Sequence, residues 1–355
     1  MAYLVAALMI DAPASALNNA GQQAGTLAEN AIVVKKIRTP EGEYPYVSAQ
    51  AFRYWVRTYL ETSCPDWRAA PVYRERKVAY TDANPIRWWD DDLFGYMRAP
   101  SQKADAGNVP GATELEKGRE VTRISPFRVG TFVSVTPVEI TRDFGTMARQ
   151  EGDPVPYEHE FYRAHLWGPL LIDLSAAGTF FDGERVGFKN LDHFRREEAE
   201  QQGLAQVTVR KQKAFRLPIE QRMERVATLV RALAELNGGA KLTLHYTDVT
   251  PQVLFAAISR HGNNPFYRMF SGSRTRATQF QQEAFQQVLK VYEGSLLSQV
   301  YVGWATGFLD EERAKLEAAI KEGGFENRVQ VGHPAEQLKT LAERLSDPAN
   351  SSWYD

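Results

Sequence analysis

The clearest periodic pattern in the chain is helical and begins after Ser48. At 100° per residue, four apolar side chains fall within one arc, as is typical of the buried face of a helix: Phe52, Val56, Tyr59 and Leu60. Ser48 precedes this pattern and suits an N-cap, because its hydroxyl can accept a hydrogen bond from a free amide of the first turn. The sequence therefore predicts a capped, amphipathic helix.

The opposite arc of the same helix is polar. Gln50, Arg53 and Arg57 lie within about 60° of one another around the helix axis. Helix N-termini and arginines both favour phosphate or carboxylate groups. This arc is either a binding face for an outside partner or the ordinary solvated side of a core helix.

The rest of the chain alternates between strand-like and helix-like patterns. In chain order, the patterns predict a strand at 3–10, a short extended piece at 32–37, the helix after Ser48, strands at 121–140 and 159–174, a helix that Pro218 opens, and a strand at 241–246. The order strand, helix, strand, strand, helix, strand is that of the ferredoxin-like, or RRM-like, fold. Further helices are predicted at 278–292, 310–321 and 334–345.

Several segments interrupt this order. Residues 12–30 form a turn-rich loop, and residues 64–120 form an insertion whose tryptophans and neighbouring apolar residues are expected to make a small cluster of their own: Trp88, Trp89, Leu93, Phe94 and Met97. Within it, residues 99–118 have the composition of a mobile loop. Residues 141–158 are a turn-rich excursion, and a further insertion at 184–216 ends in a basic cluster: Arg210, Lys211, Lys213 and Arg216.

Composition narrows the class of protein. The 355 residues carry a formal net charge of −2, which argues against coating nucleic acid by bulk charge but leaves room for a local basic track. The single cysteine, Cys64, fits a reducing cytoplasm. There is no apolar run long enough to span a bilayer, so we expect a cytoplasmic protein without a membrane partner.

Motifs for catalysis are missing from the sequence. The six histidines show no metal-ligand spacing, and the chain has no P-loop, GxGxxG or GxSxG motif. The run Asp90, Asp91 and Asp92 is typical of a solvated loop or a helix N-terminus rather than of a magnesium site. The prediction is a non-enzymatic protein with no catalytic residue, no cofactor and no metal.

Several separate motifs resemble one family. The stretches NNAG, VVKKI, GEYPYVSAQAFRYWVR, DDLFGYM and TRISPFRVGTFVSVTP are similar to those of the CRISPR-associated Cas7 proteins of the Cst2/DevR group. These proteins are the backbone subunits of type I-B Cascade complexes. The resemblance covers roughly residues 3–180, and PYVSAQAFRYWVR is its most specific motif.

The resemblance implies an α+β fold, in which an RRM-like (ferredoxin-like) palm carries inserted fingers and a thumb β-hairpin. It divides one Cas7-like domain, 1–355, as follows: first palm strand and helix 1–63, fingers 64–120, palm strand 121–140, thumb hairpin 141–158, remaining palm 159–260 with its insertion 184–216, and helical C-terminal part 261–355.

The resemblance also implies a role in antiviral defence. Copies of the chain would polymerise along one CRISPR guide RNA (crRNA) in a ribonucleoprotein complex and leave most bases free to pair with target DNA. The implied partners are guide RNA, target DNA, further copies of the chain, and Cascade subunits of the Cas5, Cas8, Cas6 and Cas11 types.

Residues that would contact the guide follow from the matching motifs. The first palm helix would grip the RNA backbone through Ser48, Gln50, Arg53 and Arg57. Phosphate contacts are expected from Lys35, Lys36 and Arg38, and simple solvation is the alternative for the two lysines. Arg123 and Arg128, at the entrance of the second palm strand, either contact the guide or do not. Loop contacts are expected from Asn18 and Asn19, for which turn formation is the alternative. Phe144 and Met147 would be the apolar wedge that unstacks a base step, or else the small core of the hairpin.

Two other functions remain open at this point. In Cas7-like nucleases of type III complexes, an aspartate after the first strand cuts target RNA, and Asp11 lies near that place. A regulatory protein acting outside any CRISPR complex is the second alternative. Metal-dependent RNA cleavage would identify the first, and purification without guide RNA would favour the second.

Overall fold

The chain has a mixed α+β fold. A computed structural model describes residues 1–22, 31–75, 78–99, 120–147, 149, 151, 153, 155–209 and 211–355. The helices are α1 (Ala49–Ser63), α2 (Trp89–Phe94), α3 (His193–Gln201), α4 (Ile219–Ala232), α5 (Gln282–Val291), α6 (Asp310–Gly323) and α7 (Pro334–Ser346), with 3-10 turns at Leu233–Glu235 and Pro348–Tyr354.

The first strands are β1 (Tyr3–Ser15), β2 (Asn19–Gln22), β3 (Ala31–Val34), β4 (Lys36–Thr39), β5 (Gly42–Val47), β6 (Val72–Glu75), β7 (Val78–Thr81), β8 (Tyr96–Arg98), β9 (Val121–Arg123), β10 (Phe127–Val129), β11 (Phe132–Ser134) and β12 (Thr141–Met147). They continue with β13 (Val155–Asp173), β14 (Thr179–Phe181), β15 (Ala205–Val209), β16 (Gln212–Arg216), β17 (Val253–Ser259), β18 (Phe270–Ser273), β19 (Arg276–Phe280), β20 (Val300–Trp304) and β21 (Val329–Gly332).

A large mixed sheet forms the centre of the molecule. Its strands run in the order β21, β20, β17, β1, β13, β11, β5, β4, and β10, β12 and β3 also pair with β13. β1 is antiparallel to β13 on one side and to β17 on the other. The predicted first strand is thus confirmed as a central one, although it is longer than 3–10.

Both faces of the central sheet are covered. On β1, Leu4 and Leu8 belong to a core shared with α1, α4 and α7, whereas Val5 and Met9 belong to a second core shared with α5 and α6. A strand buried on both faces is apolar at consecutive positions. This explains why the N-terminal segment is a continuous apolar run rather than an alternating one.

The strand predicted at 241–246 is wrong. In the structure these residues form a turn, and Leu244 and His245 both donate their amides to the Lys241 carbonyl. The strand that pairs with β1 on that side is β17, whose seven residues are all buried. The turn presents Leu244 and Tyr246 to solvent, with 58% and 83% of each exposed.

The two insertions are joined to each other. β14, β15 and β16 form a small sheet, and its Phe180 and Phe215 pack with Ile86 of the first insertion. A buried Arg98–Asp192 ion pair, 3.0 Å from Nη2 to Oδ2, also links the two segments. The described parts of residues 64–99 and 184–216 therefore contribute to one lobe, which we call the two-insertion lobe.

The predicted tryptophan-centred cluster does not stand apart. Trp89, Leu93 and Phe94 belong to the main core on the α1 side of the sheet, whereas Met97 is 68% exposed. The predictions for 23–30 and 100–118 fall outside the described residues. Within the described ranges, no helix is both long and apolar enough to cross a membrane.

Candidate nucleic-acid interface

The N-terminus of α1 carries the predicted cap. The Ser48 hydroxyl accepts a hydrogen bond from the Ala51 amide over 3.3 Å, so the capping prediction is confirmed. The Ser48 amide donates in turn to Oδ1 of Asn18 over 3.0 Å. The structure therefore brings together two predicted residues that lie 30 positions apart.

Lys35 joins the same place from a third element. Its amide donates to the Asn18 carbonyl over 2.8 Å, and its half-buried side chain makes no hydrogen bond or ion pair with the described residues. Asn19 opens β2 and lies opposite Val34 of β3, and Gln50 is exposed on the first turn of α1. We call Asn18, Asn19, Lys35, Ser48 and Gln50 the helix-cap site.

The helix-cap site has the chemistry of an anion site. Helix N-termini present backbone amides with a positive dipole, and a lysine beside them adds a full charge. Oδ1 of Asn19 is buried and has no hydrogen-bond partner among the described residues. Both observations suit a ligand that brings charge and hydrogen-bonding groups, such as a phosphodiester with its ribose hydroxyl.

Arg53 does not lie on an outer face. Its guanidinium donates to the Ser125 hydroxyl over 2.9 Å and to the carbonyls of Phe94 and Phe127. Burial, reinforced by the charge of Arg57, lowers the pKa of Arg53 to about 10. These internal bonds link α1 both to α2 of the first insertion and to the 125–127 segment that follows the insertion.

Arg57 also binds residues of α2. Its Nε lies 2.7 Å from Oδ1 of Asp90, and its guanidinium carbon lies 4.5 Å from the centroid of the Phe94 ring. Asp90 is in the first turn of α2 and is 4% exposed. The acidic run at 90–92 is thus a helix N-terminus, as one of the two sequence alternatives had it, but it is buried rather than solvated.

Arg123 is placed for structure rather than for contact with RNA. It is 5% exposed, and its guanidinium bonds to Asp92, to Asn190 and to the carbonyls of Thr179 and Ala176. The expectation that Arg123 reaches the guide is therefore corrected. β9, which ends at this residue, pairs with β8 and not with the central sheet.

The other three cations predicted to contact the guide differ in the exposure and ion pairing of their side chains. Lys36 is 9% exposed at its side chain and lies between Glu160 and Glu43, at 3.1 and 3.2 Å, so its predicted phosphate contact is also corrected. Arg38 is 69% exposed at its side chain, and its one ion-pair partner among the described residues is Glu43. Arg128 is 49% exposed, with a 3.6 Å contact to Asp173. Arg38 and Arg128 can both turn to an incoming phosphate.

The predicted hairpin is present. β12 pairs with the first part of β13 from Thr141 opposite Phe161 to Met147 opposite Val155. Phe144 and Met147 are 57% and 56% exposed, so they do not form a small core within the hairpin. They lie three positions apart in one strand and hence point to opposite faces.

The basic cluster at the end of the second insertion lies on a separate hairpin. Arg210 falls outside the described residues, and Lys211 and Lys213 are exposed on the β15–β16 turn and strand. Arg216 donates to the Thr179 hydroxyl over 3.2 Å. The structure records no contact between the helix-cap site and the described residues of this cluster, Lys211, Lys213 and Arg216.

Sequence reasoning missed Tyr54 and Tyr246. Tyr54 is 64% exposed and follows Gln50 by one helical turn, so the spacing alone could have placed it beside the helix-cap site. Tyr246 could not be found, because it was assigned to a strand. Exposed aromatic rings next to cations are the usual stacking platforms for single-stranded nucleic acid.

Asp11 sits in a separate cross-strand pair. Its Oδ1 lies 3.7 Å from Nε2 of His165, and Nδ1 of His165 lies 2.9 Å from the Thr278 hydroxyl. Burial lowers the pKa of His165. Over the part of the chain that is described, no three histidine, cysteine or acidic side chains are grouped so as to hold a metal ion.

Comparison with known proteins gives a fold and no family. No family model matches the chain, and no curated protein matches it. A chain of a solved structure described as "CRISPR RNA-guided surveillance complex, pre-nicking" is similar over 97% of this chain and 100% of that chain, with a TM-score of 0.54 and 10% sequence identity. A chain of a "CRISPR RNA-guided surveillance complex" is 12% identical over 96% and 98% of the two chains, with a TM-score of 0.48. The first of these shows that the chain shares its fold with that neighbour.

Proposed function

We propose that this chain is a non-catalytic RNA-binding backbone subunit of a type I-B Cascade complex. The observation that carries the proposal is the fold match to a surveillance-complex chain, which spans nearly the whole of both chains rather than the central sheet alone. The independent resemblance of the motifs at 3–180 to Cas7 proteins points in the same direction. Further copies, and subunits of the Cas5, Cas8, Cas6 and Cas11 types, are its proposed partners.

In this proposal the helix-cap site holds a phosphate of the guide RNA. Ser48 fixes the helix N-terminus, Asn18 fixes the loop against it, and Lys35 supplies charge. Contacts to phosphate position a nucleic acid without reading its sequence. A backbone subunit needs this property, because the same protein must accept every guide.

The hairpin supplies the second proposed contact. Of Phe144 and Met147, which point to opposite faces of the strand, the one that faces the guide would enter a base step of the RNA held by the next copy. Unstacking a base step costs a few kcal/mol, and exposed apolar side chains recover part of that cost by burial. The exposure of both residues supports this role over a structural one.

Arg53 and Arg57 take a different part in the proposal. They hold α1 against α2 and the strand β10, and so fix the direction in which the helix N-terminus points. Their contribution to RNA binding would be indirect. The two-insertion lobe is the proposed fingers region, which is anchored through α2 to the same helix.

Co-expression tests the proposal. The chain is produced with a CRISPR array and the neighbouring cas genes and purified by a tag on the chain, and the RNA in the product is extracted and sized. A ladder-like complex with one RNA of fixed length is the expected result. The matched control is the same operon with the array deleted, which should give no such complex.

A chain that purifies without RNA in both cases would overturn the guide-backbone role and favour the regulatory alternative. The nuclease alternative makes a different forecast. Bound complementary RNA would be cleaved when Mg²⁺ is added, and the Asp11→Asn variant would stop the cleavage. Intact target RNA in the presence of Mg²⁺ is what the proposed role requires.

A further inference from the structure

Two histidine rings meet at the base of the β12–β13 hairpin. The centroids of the His159 and His245 rings are 5.1 Å apart. His159 stacks on Tyr157, and His245 lies 5.1 Å from the ring of Phe161. His245 belongs to the turn at 241–246, so the contact joins that turn to the hairpin.

The contacts of the two rings indicate their tautomers. Nε2 of His159 lies 3.5 Å from Oδ2 of Asp143, and the nearby carboxylate favours the form that carries its proton on Nε2. His245 bonds to the Ala14 carbonyl, and its Nε2 has no partner, so Nδ1 is the donor. In the neutral rings, Nδ1 of His159 and Nε2 of His245 are therefore bare acceptors.

Both bare nitrogens are buried. Neither has a hydrogen-bond partner in the part of the chain that the structure describes, and His159 as a whole is 5% exposed. A buried polar atom without a partner costs about 1–3 kcal/mol. A group that enters the site and satisfies both nitrogens would recover that cost.

The charge around the rings is positive. Lys241 is half-buried, makes no ion pair within the described ranges, and adopts a left-handed backbone with φ of 53°. Burial, followed by the repulsion of Lys241 or of the other ring, lowers the pKa of both histidines, and only Asp143 acts in the opposite direction on each through its charge. Three basic groups thus face one carboxylate.

We propose that His159, His245 and Lys241 form an oxyanion site that accepts a backbone phosphate of bound RNA and takes up a proton as it does so. The proton comes from solvent and adds to a bare ring nitrogen, which then becomes a donor to the phosphate oxygen. The bound anion also screens the charge of Lys241. Binding of the phosphate and protonation of the rings each favour the other.

This inference deepens the proposed function and rests on it for the identity of the ligand. The turn that carries His245 is bonded to the loop of the helix-cap site, because the Ala240 amide donates to the Leu17 carbonyl, one residue before Asn18. A strand of RNA that leaves the helix-cap site toward the hairpin meets the histidine pair on its way.

The test is the pH dependence of RNA binding by the full-length chain. The affinity for a fluorescent 12-nucleotide oligouridylate is measured at pH 6 and pH 8 at constant ionic strength. We expect the wild-type chain to bind several-fold more tightly at pH 6, because a one-unit rise in a histidine pKa from a free value below 6.5 gives less than about sevenfold per ring between these two pH values. The His245→Asn variant keeps a donor near the position of Nδ1 but loses one of the two bare nitrogens, so its affinity should depend on pH less than that of the wild type. His261→Asn, at an exposed position, is the matched control and should behave as the wild type.

A second measurement identifies the groups. The histidine pKa values are followed by NMR of the ring Cε1–H resonances, without RNA and with it. Two of the resonances should shift to higher pKa with RNA; one of them should be absent in His245→Asn, and the other should shift less there. In Lys241→Asn, which tolerates the left-handed backbone, the same two pKa values should already rise without RNA, because a repelling charge has been removed.

The outcomes separate the inference from the proposed function. RNA binding of equal strength at both pH values, or histidine pKa values that RNA leaves unchanged, would overturn the oxyanion site and leave the guide-binding role intact. Absence of RNA binding at both pH values would overturn the proposed function. In that event, inorganic phosphate decides: it raises the same two pKa values if the site exists, and leaves them unchanged if it does not.

Discussion

The Nε of Arg57 lies 2.7 Å from Oδ1 of Asp90, and this ion pair fastens α1 to α2. Asp90 is buried, whereas a third of the Arg57 side chain is exposed. The pair should therefore contribute more to the free energy of unfolding than a surface ion pair does, and its disruption should cost less than that of a fully buried pair. Its position makes it a link between the proposed RNA-binding helix and the two-insertion lobe.

Replacement of Arg57 by Ala should destabilise the protein by about 2 kcal/mol, because it leaves the buried Asp90 carboxylate without its partner. Urea unfolding followed by circular dichroism measures the change. Arg231→Ala, at an exposed position on α4, is the control and should change stability by less than about 0.5 kcal/mol. Equal effects of the two substitutions would mean that the ion pair contributes nothing.

Charge reversal at Lys35 should weaken RNA binding without unfolding the protein. Lys35→Glu removes one phosphate contact, so the affinity should fall equally for guides of any sequence, and the slope of log affinity against log salt should flatten by about 0.7. Lys321→Glu, the same reversal on the exposed face of α6, should leave both quantities unchanged. A loss confined to particular guide sequences would contradict a phosphate contact. Arg53→Glu is unsuitable as a test, because it would place a carboxylate among carbonyl oxygens.

Removal of the apolar side chains at the hairpin should act on the assembly and not on the fold. Phe144 and Met147 are both more than half exposed in the wild-type chain. The melting temperature of the isolated Phe144→Ala, Met147→Ala double variant should therefore hardly change. The spacing of subunits along the guide, measured by electron microscopy and nuclease protection, should become irregular. Val291→Ala, which is 67% exposed on α5, is the control and should leave the spacing regular. A clear drop in melting temperature would show that the two side chains stabilise the monomer instead.

Asp91 should make stability depend on pH. Burial raises the pKa of Asp91 to about 7 in the folded protein, well above the value of an exposed carboxyl near 4. The unfolded chain therefore releases this proton at a lower pH than the folded protein does. The contribution of the protonated group to the free energy of unfolding is lost as pH rises from about 4 to 7. Asp91→Asn keeps an oxygen for the Asn84 amide and should remove this loss. The exposed Asp66→Asn should retain the pH dependence of the wild type. Stability curves of Asp91→Asn and wild type that run parallel from pH 4 to 8 would contradict the assignment.

Local sequence patterns predict several of the helices. The capped start of α1, the Pro218 start of α4, and the positions of α6 and α7 follow from caps and a 3.6-residue period, and the structure confirms them. These signals lie within a few residues of one another. The sequence does not reveal β17, because its seven buried residues show no alternation, whereas the more alternating segment 241–246 is predicted as a strand.

The roles of the arginines could not be predicted from the same patterns. The helical wheel correctly separates Arg53 and Arg57 from the apolar arc of α1, but it cannot show that α2 folds against that polar arc. The bonds of Arg53 to Phe94 and Phe127 join residues more than 40 positions apart. By contrast, Ser48 acts within its own helix turn, and its role was visible in the sequence.

The continuity of β13 constrains how the hairpin can change in evolution. This single strand of 19 residues pairs with β12 at one end and with the central strand β1 at the other, so the hairpin and the core share one register. Side chains alternate between faces with a period of two. An insertion of one residue on each arm would move Phe144 to the other face, whereas two on each arm would lengthen the hairpin and preserve it. Insertions between the core and Phe144 in related chains should therefore add residues in multiples of four.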